Sequence, residues 1–431
     1  MHHAEGTASL RDPALRKART RRMKNTGNTE AERKTKNFVP AEVFFFMAMR
    51  KEKNKKGESR KTVAVLFGGP SFEHEISVLT GVFVLNVLKR QKYDLLPVYI
   101  DAAGDFYTSP DMFDVKSFTP EGKGSFTKIL FVRNTVCRFG KRLKPVARVD
   151  CAFNCCHGGW GEGGGVSALM RIYDIPLASP DAALSGVFMD KLLSKPLIAG
   201  MGIPFVRYTA LEEGTFLRDE AGEMARVEGA LGFPVIVKPA RLGSSIGVSV
   251  ARDKGELAAA ARLGFAFDER LLVEEYLPDK RDINCAAYAA GGEIHVSECE
   301  EPLSKEEILS FREKYLAGGK TRKNVFPADL PEEVSAQIKR YTERLYKELH
   351  FSGMVRADYL VCGNKIYFSE MNTVPGSLSY YLFTEKFSAA GKLFSALIEE
   401  ALASAARQKR AYPLPGVLSS LPAAGGKAPA P

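Results

Sequence analysis

The sequence lacks the patterns that would place it in several large classes of protein. No apolar run approaches the roughly 20 residues that a membrane-spanning helix needs. The seven cysteines are an odd number and form no C-x-x-C pair, so we predict neither a disulfide framework nor a zinc site. Cys155 and Cys156 are adjacent within an apolar strand pattern. We therefore expect buried, reduced thiols in a cytoplasmic protein that does not contact membranes.

Two familiar nucleotide-binding fingerprints are also missing where they would be expected. The turn after the first predicted strand, at 68–71, has no G-x-G-x-x-G motif, which argues against a dinucleotide site there. The Gly/Ser stretch at 243–247 is not a Walker loop, because Lys238 precedes the glycines and a strand follows them. A nucleotide site in this chain would therefore use a type of loop other than these two fingerprints.

The net charge of +10 is confined to the N-terminal segment. Residues 1–61 contain 17 Lys and Arg against 7 Asp and Glu, whereas the rest of the chain has 44 of each sign. The segment has no convincing signal peptide, since its apolar patch at 43–49 is short and far from the start. We predict a solvated, disordered arm. The alternative is an arm that binds nucleic acid or anionic lipid.

The first folded unit is predicted to be a parallel α/β sheet. Residues 62–67 are an apolar run typical of a buried strand, and the glycine turn at 68–71, a helix and a strand at 95–100 follow. In such sheets, ligands bind beyond the carboxyl ends of the strands. Glu73 and Glu75 lie at that edge and could contact a ligand. The alternative is that they only stabilise the N-terminus of the helix.

A glycine-rich loop at 157–165 follows another predicted strand, at 152–156. Before this strand lies a less regular insert at 104–148, in which one strand is predicted at 128–132. Glycines let backbone N–H groups approach a ligand closely. A flexible surface loop would look similar, but His157, Trp160 and Glu162 within this loop favour a binding site.

A second unit is predicted to begin near residue 179. Ser179 and Pro180 resemble a helix start, with serine as the cap and proline in the first turn. Helical spacing continues toward Leu193, and Pro196 is expected to end this helix or to begin another.

A Gly/Ser loop in the second unit has the composition of a phosphate-binding segment. Lys238 ends an apolar strand beside the loop at 243–247, whose N–H groups and serine hydroxyls can donate to phosphate. The alternative is a plain glycine hairpin with a solvated lysine. The apolar strand at 271–277 contains Glu274 and Glu275, and a strand of this kind could pair its backbone with adenine.

The stretch at 353–377 is predicted to carry the chemistry. Strands at 354–362 and 365–371 flank a Gly-Asn turn. Side chains two residues apart share a face of a strand, so a hairpin would bring four polar groups together: Arg356, Asp358, Glu370 and Asn372. Such oxygen ligands suit Mg²⁺ bound with substrate phosphates. The alternative is an ordinary charged surface hairpin.

Seven motifs in this order resemble the D-alanine–D-alanine ligases of the ATP-grasp superfamily. They are GGPSFEHEIS (68–77), HGGWGEGGG (157–165), MDKLLSK (189–195), FPVIVKPARLGSSIGVS (233–249), VEEYL (273–277), RAD (356–358) and EMNTVPG (370–376). The resemblance implies an α/β (α+β) protein with an ATP-grasp fold preceded by a Rossmann-like domain with a parallel sheet. The expected segments are a basic arm (1–61), the Rossmann-like domain (62–178), two ATP-grasp subdomains (179–269 and 270–406) and a disordered tail (407–431).

The resemblance implies that the chain joins two D-alanines, using ATP, through an acyl phosphate, for peptidoglycan and cell-wall synthesis. It assigns the first D-alanine and catalysis to Glu73, Ser244, Tyr315, Arg356 and Gly376. It assigns ATP binding to Lys191, Lys238, Ser244, Ser245, Glu274, Glu275, Tyr276, Leu277 and Asp282. Further substrate contacts would come from His157, Glu162, Lys314, Tyr315, Ser377 and Ser379. Two Mg²⁺ ions, or Mn²⁺, would bind Asp358, Glu370 and Asn372.

The sequence departs from the family pattern at two positions, one expected to bind the ribose of ATP and one expected to bind the acceptor. Asp282 stands where many relatives have a glutamate, and Tyr381 where many have a serine that helps to hold the second substrate. The segment 310–315 matches the family's mobile lid. Small-molecule substrates and a homodimer are implied, without a nucleic-acid partner. The alternatives are a related ligase with D-serine or D-lactate as acceptor, and a nucleic-acid- or partner-binding protein with a decayed ATP site.

Overall fold

A computed structural model of the protein describes residues 60–89, 91–120, 122, 124–303 and 324–408. Nearly all of the predicted arm (1–61), nearly all of the predicted tail (407–431) and the whole of the predicted lid (310–315) lie outside these described residues. Within the described ranges, no helix combines the length and apolar character needed to cross a bilayer. The described chain forms three regions in sequence order.

The N-terminal region is built around one sheet. Its strands are β1 (Thr62–Gly68), β2 (Asp94–Ile100), β3 (Phe106–Thr108), β4 (Thr127–Val132), β5 (Thr135–Arg138), β6 (Lys144–Arg148) and β7 (Cys151–Asn154). Its helices are α1 (His74–Leu88), α2 (Gly159–Glu162) and α3 (Gly165–Ile172). The strand order is β6-β5-β4-β3-β2-β1-β7, and β1 runs parallel to both β2 and β7.

The parallel centre of this sheet is buried on both faces, as its apolar sequence predicts. Val65 and Phe67 of β1 pack into one hydrophobic cluster, while Ala64 and Leu66 pack into another on the opposite face. The insert at 104–148 is more regular than expected. It extends the sheet by the antiparallel strands β3 to β6.

The central region contains a four-stranded antiparallel sheet with helices around it. Two helices come first, α4 (Ala182–Met189) and α5 (Lys191–Gly200). The strands are β8 (Tyr208–Glu212), β9 (Val235–Pro239), β10 (Ser249–Ala251) and β11 (Arg270–Glu275), in the order β10-β9-β11-β8. The remaining helices are α6 (Glu213–Arg218), α7 (Glu220–Leu231) and α8 (Lys254–Phe265).

The prediction of one helix at 179–193 is wrong in two respects, because the helix starts later and the segment forms two helices. Asp181, rather than Ser179, caps α4, because its carboxylate accepts a backbone N–H of the first turn. The backbone is extended at Asp190, where α4 ends, and the Asp190 carboxylate caps α5. Pro196 neither ends nor begins a helix but lies inside α5, which continues despite the missing N–H.

The C-terminal region carries the predicted hairpin in a second antiparallel sheet. Its strands are β12 (Arg281–Ala290), β13 (Glu293–Val296), β14 (Glu301–Pro302), β15 (Asn324–Val325), β16 (Met354–Cys362) and β17 (Lys365–Asn372). Its helices are α9 (Glu332–Glu348) and α10 (Phe387–Gln408), with a 3₁₀ turn at Gly376–Leu382. The main sheet has the order β13-β12-β16-β17, and β14 pairs with β15.

The last helix, α10, returns to the N-terminal region. Phe394 of α10 contacts Phe153 of β7 and Phe83 of α1, with ring centroids 5.6 and 5.9 Å apart. Residues of α1, β1, β7 and α10 share one hydrophobic cluster. This packing connects the N-terminal sheet with the C-terminal region.

Candidate active site

A cavity of about 440 Å³ is lined by residues of all three regions. The predicted site residues that line it are Glu73, His157, Glu162, Lys191, Lys238, Ser244, Ser245, Asp282, Arg356, Asp358, Glu370, Asn372, Gly376 and Ser377. Other predicted residues do not line it: Glu274, Glu275, Tyr276, Leu277 and Ser379. Lys314 and Tyr315 lie outside the described residues. The fold thus brings together side chains that are up to about 300 positions apart in the sequence.

The hairpin β16–β17 sets the two predicted pairs of side chains side by side, with a β-bulge between Asp358 and Tyr359. Arg356 pairs with Asn372 and Asp358 pairs with Glu370, so all four side chains share one face. The Arg356 guanidinium donates to both carboxylate oxygens of Asp358, at 2.6 and 2.7 Å, and Asn372 Nδ2 donates to Asp358 Oδ2 at 3.0 Å. Burial alone would lower the pKa of Arg356, but the attraction of Asp358 outweighs it and holds that pKa well above its ordinary value.

The cation that faces this cluster is Lys191, at the start of α5. Its Nζ lies 3.4 Å from Glu370 Oε2 and donates to the Leu242 carbonyl at 2.5 Å. Among the described residues, no three His, Cys, Asp or Glu side chains are grouped as metal ligands would be. The cluster offers two carboxylates and an amide oxygen, a donor set that suits Mg²⁺ when phosphate oxygens and water complete the coordination.

A buried ion triad lies behind the cavity, in the central region. Glu274 binds Lys195 Nζ at 2.6 Å through Oε1 and Lys238 Nζ at 2.5 Å through Oε2. Burial would raise the pKa of Glu274, but both lysines oppose this and lower it to about 2. Burial lowers the pKa of Lys195, with partial compensation by Glu274. The sequence analysis missed Lys195, although it lies four residues after Lys191, on the same face of α5.

The Gly/Ser loop reaches across to Glu73 of the N-terminal region. The Ser244 hydroxyl donates to Glu73 Oε1. Ser244 and Ser245 have positive φ values of 54° and 59°, an uncommon conformation for serine that is often found at functional sites. Gly158 lies on the other side of the carboxylate, and a Cβ there would be 2.6 Å from Glu73 Oε2. Glu73 is therefore held in a narrow space between two loops.

His157 and Glu162 hold the backbone at Val374, just after the hairpin. His157 Nδ1 is 2.7 Å from the Val374 carbonyl, and its Nε2 is 2.8 Å from the Thr80 hydroxyl. Burial lowers the pKa of His157, so the neutral ring donates through Nδ1. Glu162 accepts N–H bonds from Gly158 at 2.9 Å and from Val374 at 3.1 Å. Burial, and then the charge of Glu73, raise the pKa of Glu162 to about 7.

The predicted adenine strand ends earlier than expected. β11 ends at Glu275, whose carboxylate binds Arg207 at 3.0 Å rather than facing the cavity. Tyr276 and Leu277 follow the strand. Asp282 does line the cavity, with Lys280 Nζ 2.6 Å from its carboxylate. Asp282, on β12, therefore borders the same cavity as Lys191 and Lys238.

The 3₁₀ turn after Gly376 forms the remaining wall of the cavity. Ser377, Leu378 and Ser379 are all left-handed, with φ of 50°, 52° and 46°. Ser377 lines the cavity, whereas Ser379 is fully buried and its hydroxyl has no hydrogen-bond partner among the described residues. Tyr381 lines the cavity and donates to Glu300 Oε2 at 3.3 Å.

Asn284 is one of several cavity-lining polar residues that were not predicted from the sequence. Asn284 on β12 lies directly opposite Asp358 on β16. Its signal was its position two residues after Asp282, on the same face of a strand. Glu300, which binds Asn284, gave no such signal because a strand bridge alone brings it there.

Solved structures with a similar fold include D-alanine–D-alanine ligases. D-alanine–D-alanine ligase from Helicobacter pylori aligns with a TM-score of 0.65 and 26% identity, over 81% of this chain and 100% of that one. The VanG D-Ala:D-Ser ligase from Enterococcus faecalis aligns with a TM-score of 0.66 and 25% identity, over 80% and 100%. The fold is that of the ATP-grasp ligases.

The sequence comparisons identify the family. The model described as D-ala D-ala ligase N-terminus matches residues 62–180, and the one described as D-ala D-ala ligase C-terminus matches residues 197–403. The D-alanine–D-alanine ligase of Thermosipho melanesiensis is 35% identical over 342 residues, 78% of this chain and 91% of that protein. That of Campylobacter jejuni subsp. doylei is 32% identical over 323 residues, 75% and 89%. This chain belongs to the D-alanine–D-alanine ligase family.

Proposed function

We propose that this protein joins two D-alanines into D-alanyl-D-alanine with the conversion of ATP to ADP and phosphate, for peptidoglycan synthesis. The observation that carries the proposal is a cavity in which Glu73, two lysines and the hairpin cluster meet. A carboxylate is a poor electrophile, so the first D-alanine must be activated. Phosphorylation by ATP supplies a good leaving group, and the second D-alanine amine then displaces phosphate.

The first D-alanine is proposed to bind through its ammonium group at Glu73. The carboxylate of Glu73 is already oriented by the Ser244 hydroxyl and confined by Gly158. His157 and Glu162 act mainly by fixing Val374, because their polar atoms bind protein groups. These contacts would keep the donor carboxylate in a constant orientation toward the nucleotide.

ATP is proposed to lie along the central region. Lys191 and Lys238 would bind phosphate oxygens, and Ser244 and Ser245 would close over them. Glu274 would orient Lys238, and the backbone from Glu274 to Leu277 would border the adenine. Asp282 would bind the ribose. Lys314 and Tyr315, outside the described residues, would complete the closure.

Two Mg²⁺ ions, replaceable by Mn²⁺, are proposed to bind through Asp358, Glu370 and Asn372. Bound metal would neutralise part of the negative charge of the phosphates. Asp358 is shared with Arg356 in the hairpin. Arg356 and the Gly376 N–H are proposed to donate to the oxyanion that forms during attack on the acyl phosphate.

A second candidate function differs from the first only in the acceptor substrate. The likeness to a D-Ala:D-Ser ligase supports D-serine as an alternative acceptor, and D-lactate is chemically similar. Ser377 is proposed to contact the acceptor, and Ser379 to shape the turn around it. The domain division (62–178, 179–269 and 270–406), a homodimer and a cytoplasmic location, where ATP is abundant, are parts of the same proposal.

A panel of acceptors tests this function. Purified protein with ATP and Mg²⁺ would receive D-alanine alone, or limiting D-alanine with excess D-serine or D-lactate, and phosphate release and products would be measured. D-Alanine alone is expected to give phosphate and dipeptide in equal amounts, whereas L-alanine gives neither. Mixed products as the main species would favour the alternative acceptors, and no D-amino-acid-dependent phosphate release would contradict the proposal.

A further inference from the structure

The central region contains a buried lysine that has no role in the function proposed above. Lys195 on α5 is fully buried and does not line the cavity. Its Nζ lies 2.6 Å from Glu274 Oε1 and 5.1 Å from the ring centroids of both Phe205 and Tyr208. A carboxylate and two aromatic faces all favour the charged form of a lysine. We therefore treat Lys195 as a buried cation.

Lys195 adds more positive charge than Glu274 can neutralise. The other oxygen of Glu274, Oε2, is 2.5 Å from Lys238 Nζ, and one lysine is enough to neutralise one carboxylate. Two lysines and one carboxylate leave the triad with a net charge of +1. Burial, and to a smaller extent the charges of Lys238 and Lys191, lower the pKa of Lys195. Packing alone does not explain this unfavourable burial, because an apolar side chain could fill the same space without it.

The cations that line the cavity are all compensated by carboxylates. Among the described residues, four cationic side chains line it, and each forms an ion pair: Lys191 with Glu370, Lys238 with Glu274, Lys280 with Asp282, and Arg356 with Asp358. These four pairs together carry no net charge. A nucleotide polyphosphate stays negative even as its magnesium complex. Without Lys195, this set of pairs would therefore offer the nucleotide no excess of positive charge.

We propose that Lys195 raises the affinity for the nucleotide phosphates, because it cancels the charge of Glu274 and leaves that of Lys238 free to act on them. The inference deepens the proposed function and rests on it, since it assumes that Lys238 binds ATP phosphates. Charges in a protein interior are screened less than in water, so a cation one ion pair behind the cavity wall still acts on a ligand. Lys195 is a positioning residue, since it acts through Glu274 and Lys238 and does not line the cavity.

The triad allows a test in which the positive charge is removed and then restored. Lys195→Met keeps most of the side-chain length and leaves Glu274 and Lys238 as a neutral pair. Adding Glu274→Gln returns the net charge of the three positions to +1, because the charge of Lys238 is then no longer cancelled. The introduced amide oxygen can still accept a hydrogen bond from Lys238. A purely structural role of Lys195 predicts no recovery, because the double variant has lost both members of the ion pair.

The measurement separates the phosphates of the nucleotide from its nucleoside. Binding of ADP with Mg²⁺ is measured by isothermal titration calorimetry, and adenosine is measured as a competitor of ADP. ADP carries the phosphates that Lys238 is proposed to bind, whereas adenosine carries none. Lys254→Met is the matched control, because the Lys254 side chain is 52% exposed and pairs with Glu228 at 2.7 Å. KM for D-alanine at saturating ATP reports whether the rest of the cavity is intact.

Lys195→Met is expected to weaken ADP binding by about tenfold or more, since one buried positive charge near the phosphates is lost. The affinity for adenosine and KM for D-alanine are expected to stay within about twofold of the wild type, because neither ligand carries a net charge. These two values also show that the variant folds. The double variant is expected to bind ADP within about threefold of the wild type, and Lys254→Met within about twofold.

Three results would overturn the inference. They are unchanged ADP binding in Lys195→Met, equal losses of ADP and adenosine affinity in that variant, and a double variant that binds ADP no better than Lys195→Met alone. A wild-type protein that does not bind ADP would instead overturn the proposed function.

Discussion

Replacement of Glu274 by glutamine is expected to destabilise the protein by about 3 kcal/mol. The Glu274 carboxylate lies 2.6 Å from Lys195 Nζ and 2.5 Å from Lys238 Nζ, and its side chain is 4% exposed. These two pairs outweigh the cost of burial and lower the pKa of Glu274 from 4.5 to about 2. At about 1.36 kcal/mol per pKa unit, the shift corresponds to about 3 kcal/mol of folding free energy at neutral pH.

The sign of the shift determines the pH dependence of this contribution. Because the pKa of Glu274 is lower in the folded state, the stabilisation is complete above the unfolded-state value near 4.5. It is lost as the pH falls toward 2. The difference in unfolding free energy between the wild type and Glu274→Gln is therefore expected to shrink as the pH is lowered below about 4.5.

The assay is chemical denaturation followed by circular dichroism, with Glu275→Gln as the matched control. Glu275 is the next residue and forms an ion pair with Arg207, but its side chain is 37% exposed, so the control is expected to lose less than about 1 kcal/mol. Adding Lys195→Met to Glu274→Gln is expected to recover stability, because it removes an ammonium group left without a partner. Equal losses in the Glu274 and Glu275 variants, or strictly additive losses in the double variant, would refute the reasoning.

Three further predictions concern the cavity. Glu370→Gln is expected to reduce D-alanine-dependent phosphate release to background with an unchanged circular dichroism spectrum, since it removes one of two carboxylates from the proposed metal site; normal turnover would exclude Glu370 from that site. Gly158→Ala is expected to raise KM for the first D-alanine about tenfold or more, because the new Cβ would lie 2.6 Å from Glu73 Oε2 and φ is +65°; an unchanged KM would contradict the role of Glu73. Burial and Glu73 raise the pKa of Glu162 to about 7 in the folded protein. Glu162 therefore loses its proton at a lower pH in the unfolded chain than in the folded protein, and the free energy of unfolding of the wild type falls between about pH 4.5 and 7. The melting temperature of Glu162→Gln relative to the wild type is expected to rise over that interval and to level off above it, whereas a difference independent of pH would show that Glu162 titrates normally.

Local patterns predicted the hairpin and the face to which each of its side chains points, because both depend on nearby residues. The two-residue period puts Arg356 and Asp358 on one face of their strand, and Glu370 and Asn372 on one face of theirs. That these two faces coincide depends on a β-bulge beside Asp358, which the turn and the strand period do not predict. The apolar run of β1 likewise predicted a buried parallel strand. In both cases the relevant physics acts within one or two elements.

Features that depend on distant contacts were not predictable in this way. The antiparallel strands within 104–148 are short and weakly patterned, so their pairing is decided by the sheet edge that they extend. The local sequence around Lys195 indicated only an ordinary helix residue, because its partner Glu274 is 79 positions away. Glu300 lies beside Asn284 only through a strand bridge. The start of α4 was predicted wrongly because Asp181, rather than Ser179, caps the helix.

The central claim is that the cavity brings a D-alanine carboxylate to the terminal phosphate of ATP. The most direct measurement uses D-alanine labelled with ¹⁸O in its carboxylate, followed by mass spectrometry of the phosphate released during dipeptide synthesis. Attack of the carboxylate on phosphorus, followed by displacement at carbon, predicts one ¹⁸O atom in each phosphate released. Unlabelled phosphate, or AMP and pyrophosphate in place of ADP and phosphate, would contradict the account.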